Sequence, residues 1–294
     1  MKRSAIRHLA CSPTSPYLAA ALFEYTVQIW NLDILSQVGE FETILTFGGS
    51  RLALDTSGQF CVAAGWGSGI AAYRAPSGEV LWHRKDLKHV QSVTLEPSGT
   101  KIYCGRDEGA LHILESHTGE TIVRLPGVEE VIESLFSPQL LLVSRGRDHT
   151  VRGRKEFRVE RLGFALLDGV FGEDFLCLSE ARGPVRCFNS ATGAELLRFL
   201  PDSGTHVIKL GYRMADGFFY GILGNFERRG VCNLLRFEAR SGKCYEVCPL
   251  DNSWEIQFCR GGDLLVSGEG TLINVSDGKI LGTLDFPTQE YSED

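Results

Sequence analysis

Short apolar runs separated by glycine, proline and small polar residues recur along the whole chain, and none is long enough for a buried helix. Four of them follow similar turns. Cys11-Ser12-Pro13 precedes Tyr17–Leu22, and Leu54-Asp55-Thr56 precedes Gln59–Ala64. Leu95-Glu96-Pro97 precedes Lys101–Cys104, and Phe136-Ser137-Pro138 precedes Leu140–Val143. The third turn residue falls at 13, 56, 97 and 138, in steps of 43, 41 and 41. A second frame lies about 20 residues further on. It has an aromatic or aliphatic residue, three variable residues, then Ser, Thr or Asp followed by Gly: Tyr73 before Ser77-Gly78, Leu114 before Thr118-Gly119, Phe188 before Thr192-Gly193, Phe237 before Ser241-Gly242, and Ile273 before Asp277-Gly278. The glycine supplies the positive φ of a tight hairpin turn. Two frames with one period of about 42 predict antiparallel four-stranded units repeated around a ring, and 294 residues make room for seven of them.

Val27–Leu32, containing Trp30-Asn31, resembles the strand that ends in Trp-Asp in WD40 repeats. Gly105–Gly109 and Gly146–Val151 resemble the Gly-x-Asp-x-Thr-Val turn that precedes it. The resemblance extends over the whole chain and implies an all-β, WD40-type seven-bladed β-propeller. The blades are expected at about 1–45, 46–86, 87–127, 128–162, 163–202, 203–250 and 251–287. The chain departs from the pattern in three ways: one blade keeps the tryptophan, no blade has a Gly-His pair, and the fourth lacks a Ser/Thr-Gly turn around Arg152–Arg161. Lys279–Leu284 reads as a complete outer strand, so the ring is expected to close without exchange of a terminal strand. The acidic tail, 288–294, is expected to fray.

Composition narrows the class. Hydrophobic residues make up 43% and no block of like charge stands out, which excludes disorder. No apolar stretch is long enough to span a bilayer as a helix. Arg7 and His8 interrupt the N-terminal apolar stretch before Cys11, so a signal peptide is not expected. Nine cysteines without a C-x-x-C motif, several within apolar runs (Cys61, Cys104, Cys177, Cys259), read as buried reduced thiols of a cytoplasmic protein.

No phosphate loop, G-x-S-x-G elbow or H-E-x-x-H motif occurs. Gly65–Gly69 is glycine-rich but joins two strands, whereas a phosphate cradle opens a helix. The seven histidines, His8, His83, His89, His112, His117, His149 and His206, lack the clustering of a zinc site, and by the resemblance His149 belongs to a structural turn network. Cys244 and Cys248, four residues apart, are expected on one face of a strand. No catalytic residue, metal ligand or cofactor is assigned, and the protein is expected not to be an enzyme.

Against a net charge of −7, arginines gather at equivalent loops of successive blades: Arg106, then Arg145 and Arg147, then Arg182, then Arg228 and Arg229. Propeller topology opens these loops on one face, where arginine forks suit carboxylates or phosphates. Trp66 and Phe226 on similar loops are candidate aromatic anchors. Solvated charges paired with Asp107, Asp148, Glu180 and Glu227 explain the same residues without a partner. A second basic set, Arg152, Arg154, Lys155, Arg158 and Arg161, fits the solvated face of an outer strand. Phe226–Gly230 resembles the Phe-Arg-Arg-Gly motif of phosphoinositide-binding propellers, but Glu227 interrupts it.

The expected function is that of a protein-protein interaction module, an adaptor or stand-alone binder, presenting the arginine face to an acidic partner. The chain alone is expected to be monomeric, with no nucleic-acid partner and no membrane span. Alternatives are an immunity or inhibitor protein that blocks a toxin or enzyme, a propeller enzyme with a central-channel site, and a lipid binder.

Overall fold

The computed structural model describes residues 2–290 apart from 5, 24, 46–50, 97, 107–109, 127–129, 134–140, 146–147, 153–156, 160–165, 203, 225–231, 239–240, 242 and 251–254; for 2–4, 130–166 and 289–290 it describes the backbone alone. The apolar runs are strands, and they pair antiparallel with their sequence neighbours into four-stranded sheets, seven in all among the described residues. The first comprises Ile6–Cys11, Tyr17–Leu22, Thr26–Asn31 and Ser36–Glu42. The second comprises Arg51–Leu54, Phe60–Gly65, Gly69–Arg74 and Glu79–Arg84, and the third Val90–Leu95, Lys101–Arg106, Ala110–Glu115 and Thr121–Pro126. Glu130–Glu133, Leu141–Arg145, Asp148–Arg152 and Phe157–Val159 form the fourth, described by its backbone only. Leu166–Phe171, Phe175–Glu180, Val185–Asn189 and Glu195–Phe199 form the fifth. The sixth holds His206–Arg213, Phe218–Gly224, Cys232–Glu238 and Lys243–Leu250. The last holds Ile256–Cys259, Leu264–Ser267, Thr271–Asn274 and Ile280–Thr283. First strands of consecutive sheets touch, and that of the last sheet touches that of the first. The sheets are therefore blades around a central channel, with first strands innermost.

The core lies in layers between blades. Ala19, Val27 and Ile29 of the first blade pack with Leu52, Leu54 and Tyr73 of the second. Val62 and Ile70 pack with Val90 and Ile102, and similar layers join the fifth to the sixth blade and the sixth to the seventh. Apolar residues on both faces of the middle strands explain why these read as near-continuous hydrophobic runs. The Ser/Thr/Asp-Gly frame forms the turn between third and outer strands. Gly78, Gly119, Gly193 and Gly278 have φ of 70–75° and each donates its N–H to the carbonyl four residues back. These turns also dock on the preceding blade: a Cβ on Gly119 would lie 2.6 Å from the Trp82 ring, whose Nε1 donates to the Ser116 carbonyl at 2.7 Å.

The last blade draws all four strands from 256–283, and Lys2–Ser4 pairs instead with Thr288–Glu290 in a separate two-stranded ribbon. The tail is thus paired, not frayed, over 288–290, while 291–294 lie outside the described residues. The cysteines are not all reduced: Cys11 and Cys259 form a disulfide. Their 248-residue separation hides the pairing until ring closure brings the first and last inner strands together. That seam is also packed, with Leu9, Leu18 and Trp30 against Leu264, Val266 and Phe286. Nor do Cys244 and Cys248 share a face. A bulge shifts the register between the Leu235↔Glu246 and Leu234↔Cys248 pairs, so Cys244 faces the fifth blade's layer and Cys248 the seventh's.

Candidate functional site

One register position organises the inner wall of the channel. The pairs Cys11↔Leu18, Leu54↔Cys61, Leu95↔Ile102, Phe171↔Leu176, Tyr212↔Phe219 and Phe258↔Leu265 are the same step in six blades. Their second members pair in turn with Trp30, Tyr73, Leu114, Phe188, Phe237 and Ile273, the last five being the frame residues ahead of the glycine turns. Three residues before the first members stand His8, Arg51, Ser92, Asp168, Lys209 and Glu255. All six are polar, and all six line a central cavity of about 600 Å³. One residue further on, Leu9, Leu52, Leu210 and Ile256 are buried in the apolar layers between blades, as strand alternation requires. In four blades a bulge falls immediately before the polar residue, between Ile6 and His8, Val90 and Ser92, Leu166 and Asp168, and Val207 and Lys209. Such bulges re-aim a side chain at the edge of a sheet.

The charges of this ring act on one another. Asp168 lies 3.8 Å from Lys209 and accepts the Leu210 N–H at 2.6 Å. Burial nevertheless pushes its carboxyl above the usual carboxylate range, against the pull of Lys209. Burial also raises Glu255 to about 7, opposed by Lys209 and Arg51. His8 is lowered to about 3, first by burial and then by Arg51 and Lys209, which leaves it neutral at physiological pH. Its Nδ1 is buried without a hydrogen-bond partner. Arg51 donates through Nε to the Gln91 carbonyl at 2.8 Å.

The ring lies toward the ends where inner strands begin. Second strands finish at that same end, so the loops after them share its face with the channel mouth. On this face Trp66 is 41% exposed, and its indole meets the His89 ring edge-on at 5.1 Å. The Trp66 carbonyl accepts the His89 N–H at 2.7 Å. Arg106 donates to the carbonyl of the neighbouring Lys88 at 2.8 Å. Trp66, His89, Lys88 and Arg106 thus form one patch across the second and third blades, and Gln91 connects it to Arg51. Arg182, exposed at the fifth blade, has φ 59° and gives its N–H to His206 Nδ1 at 3.1 Å. Of the other residues singled out by the sequence, Arg145 ends a strand whose side chains are not described, and Arg147, Phe226, Arg228 and Arg229 lie outside the described residues.

The channel ring escaped sequence reasoning, yet it leaves a trace. In the first three blades a polar residue interrupts the inner strand 22 positions ahead of Trp30, Tyr73 or Leu114, at His8, Arg51 and Ser92. Turn lengths change the interval in the later blades, which removes the periodicity. Among the described residues no group of His, Cys, Asp and Glu is arranged to hold a metal ion.

No family model and no curated protein matches the chain. Among solved structures it is similar to U3-55K, a WD40 propeller protein, with a TM-score of 0.68 and 11% identity over 90% of this chain and 88% of that one. That match is one of 1671, so the likeness concerns a widely used platform and selects no site. The fold is that of a WD40-like β-propeller.

Proposed function

We propose that this chain, a divergent WD40-type ring of seven blades, is a non-catalytic protein-interaction module that receives an acidic partner surface on the face carrying the channel mouth. The observation behind the reading is the Trp66–His89–Lys88–Arg106 patch: an exposed indole seated on an imidazole, next to an arginine at a strand end. Tryptophan and arginine are the residue types that concentrate binding energy at interfaces. The indole supplies apolar area, and the cations set orientation and on-rate. Arg182 extends the same face, and the sequence pattern expects Arg145, Arg147, Arg228, Arg229 and Phe226 on the equivalent loops. Inhibition of a toxin or enzyme is a special case of this reading, since a partner covering the face is all it requires.

Affinity capture from the native source, comparing wild type with a Trp66→Ala/Arg106→Glu double variant, tests the proposal. Salt-sensitive capture of a discrete partner by wild type, lost in the variant while unfolding is unchanged, supports it. Equal capture by both proteins retires this face.

A further inference from the structure

We propose that the channel mouth is a binding site for a small molecule carrying an oxyanion, a carboxylate or phosphate group, held by Arg51 with His8 as its second contact. The carboxylates of the ring already have partners. Asp168 has the Leu210 N–H and Lys209, and Glu255 also has a partner. Arg51 uses Nε on the Gln91 carbonyl, and its terminal nitrogens make no hydrogen bond with a described residue. His8 has a buried Nδ1 with no partner. The free N–H groups of Arg51 call for an acceptor, and His8 joins them as a donor in its Nδ1–H tautomer. A guanidinium anchored through Nε offers a fixed pair of donors suited to an oxyanion. A buried polar atom without a partner costs on the order of 1–3 kcal/mol, which a ligand at His8 relieves. The cavity, about 600 Å³, is within the range of small-molecule sites. This site uses none of the four residues of the Trp66 patch, so either proposal can fail without the other.

The groups that face the site set its pH dependence. Among the described residues they are His8, Arg51, Asp168, Lys209 and Glu255. Ionisation of Glu255 near neutrality adds a negative charge beside the cations, so an anion of constant charge binds more weakly as pH rises.

Isothermal titration of the full chain with sulfate and with glutarate, at about pH 6 and about pH 8, tests the proposal. The expected result is saturable one-to-one binding of at least one anion, several-fold tighter at the lower pH. Arg51→Gln should weaken it about tenfold, Trp66→Ala should leave it unchanged, and Glu255→Gln should abolish the pH difference. Should Arg51→Gln fail to fold, the wild-type pH difference and a shift of the His8 imidazole nitrogens on anion titration carry the same decision. Absence of saturable binding to either anion overturns the proposal, as does binding indifferent to Arg51→Gln. Saturation by magnesium instead, lost in Asp168→Asn, overturns it in favour of a cation site.

Discussion

Cys11 and Cys259, each the last residue of its inner strand, are joined across the seam between the first and last blades with Cα atoms 5.3 Å apart. The bridge closes a loop that contains nearly the whole protein, so by chain entropy it constrains the unfolded state strongly, by about 3–5 kcal/mol. Cys11→Ser is predicted to lower stability by about that amount. Dithiothreitol should produce the same loss in wild type and none in the variant. Denaturant unfolding with and without reductant measures both, and indifference of the wild type to reductant would show the seam unbridged in solution.

His8 and Glu255 should bend the stability-pH curve in opposite directions. His8 is lowered from 6.5 to about 3, so the unfolded chain binds the extra proton between those values and stability rises with pH there. Glu255 is raised from 4.5 to about 7, so the folded chain holds the extra proton and stability falls as pH rises through that window. The two nearly cancel where the windows overlap. His8→Gln should leave a falling curve and Glu255→Gln a rising one, each with a span on the order of 2 kcal/mol. Urea midpoints taken from about pH 4.5 to 7.5 decide it, and parallel curves for the two variants would refute the assignment.

Two glycines with the same backbone angle separate conformation from contact. At Gly99 (φ 73°) nothing lies within 4 Å of the place a Cβ would take, whereas at Gly119 (φ 70°) the Trp82 ring stands 2.6 Å from it. Gly99→Ala should cost about 1 kcal/mol for the left-handed backbone alone. Gly119→Ala should cost about 2–4 kcal/mol because the neighbouring blade's outer strand must also move. Equal losses would mean that the turn does not bear on Trp82.

Arg182 holds a left-handed backbone at an exposed loop. Arg182→Gly is expected to stabilise the fold by about 0.5–1 kcal/mol by relieving the Cβ, and to weaken partner capture. Destabilisation on equilibrium unfolding would show that the side chain serves the fold.

Much of the architecture was legible because turns carry their chemistry locally. Ser77-Gly78 and Thr118-Gly119 announce a positive φ wherever they stand, and their spacing reports the blade. The channel ring was not legible, because Lys209 and Glu255 meet His8 and Arg51 only after the ring closes, and bulges break the alternation that marks which way a residue points. The bulge between Leu234 and Leu235 undid the simple spacing argument for Cys244 and Cys248 in the same way. Arg106 and Trp66 were visible from loop position alone, whereas the contacts that join them through Lys88 and His89 belong to two blades.

The ribbon that pairs Lys2 with Glu290 and Ser4 with Thr288 determines how the molecule bears mechanical load. Tension applied at the two ends opens it one pair at a time, like a zip. It then peels Ile6–Cys11 from the first blade and the three outer strands of the last, and stops at the Cys11–Cys259 bridge. Everything between the two cysteines, including the face around Trp66 and most of the channel wall, is shielded from the pull.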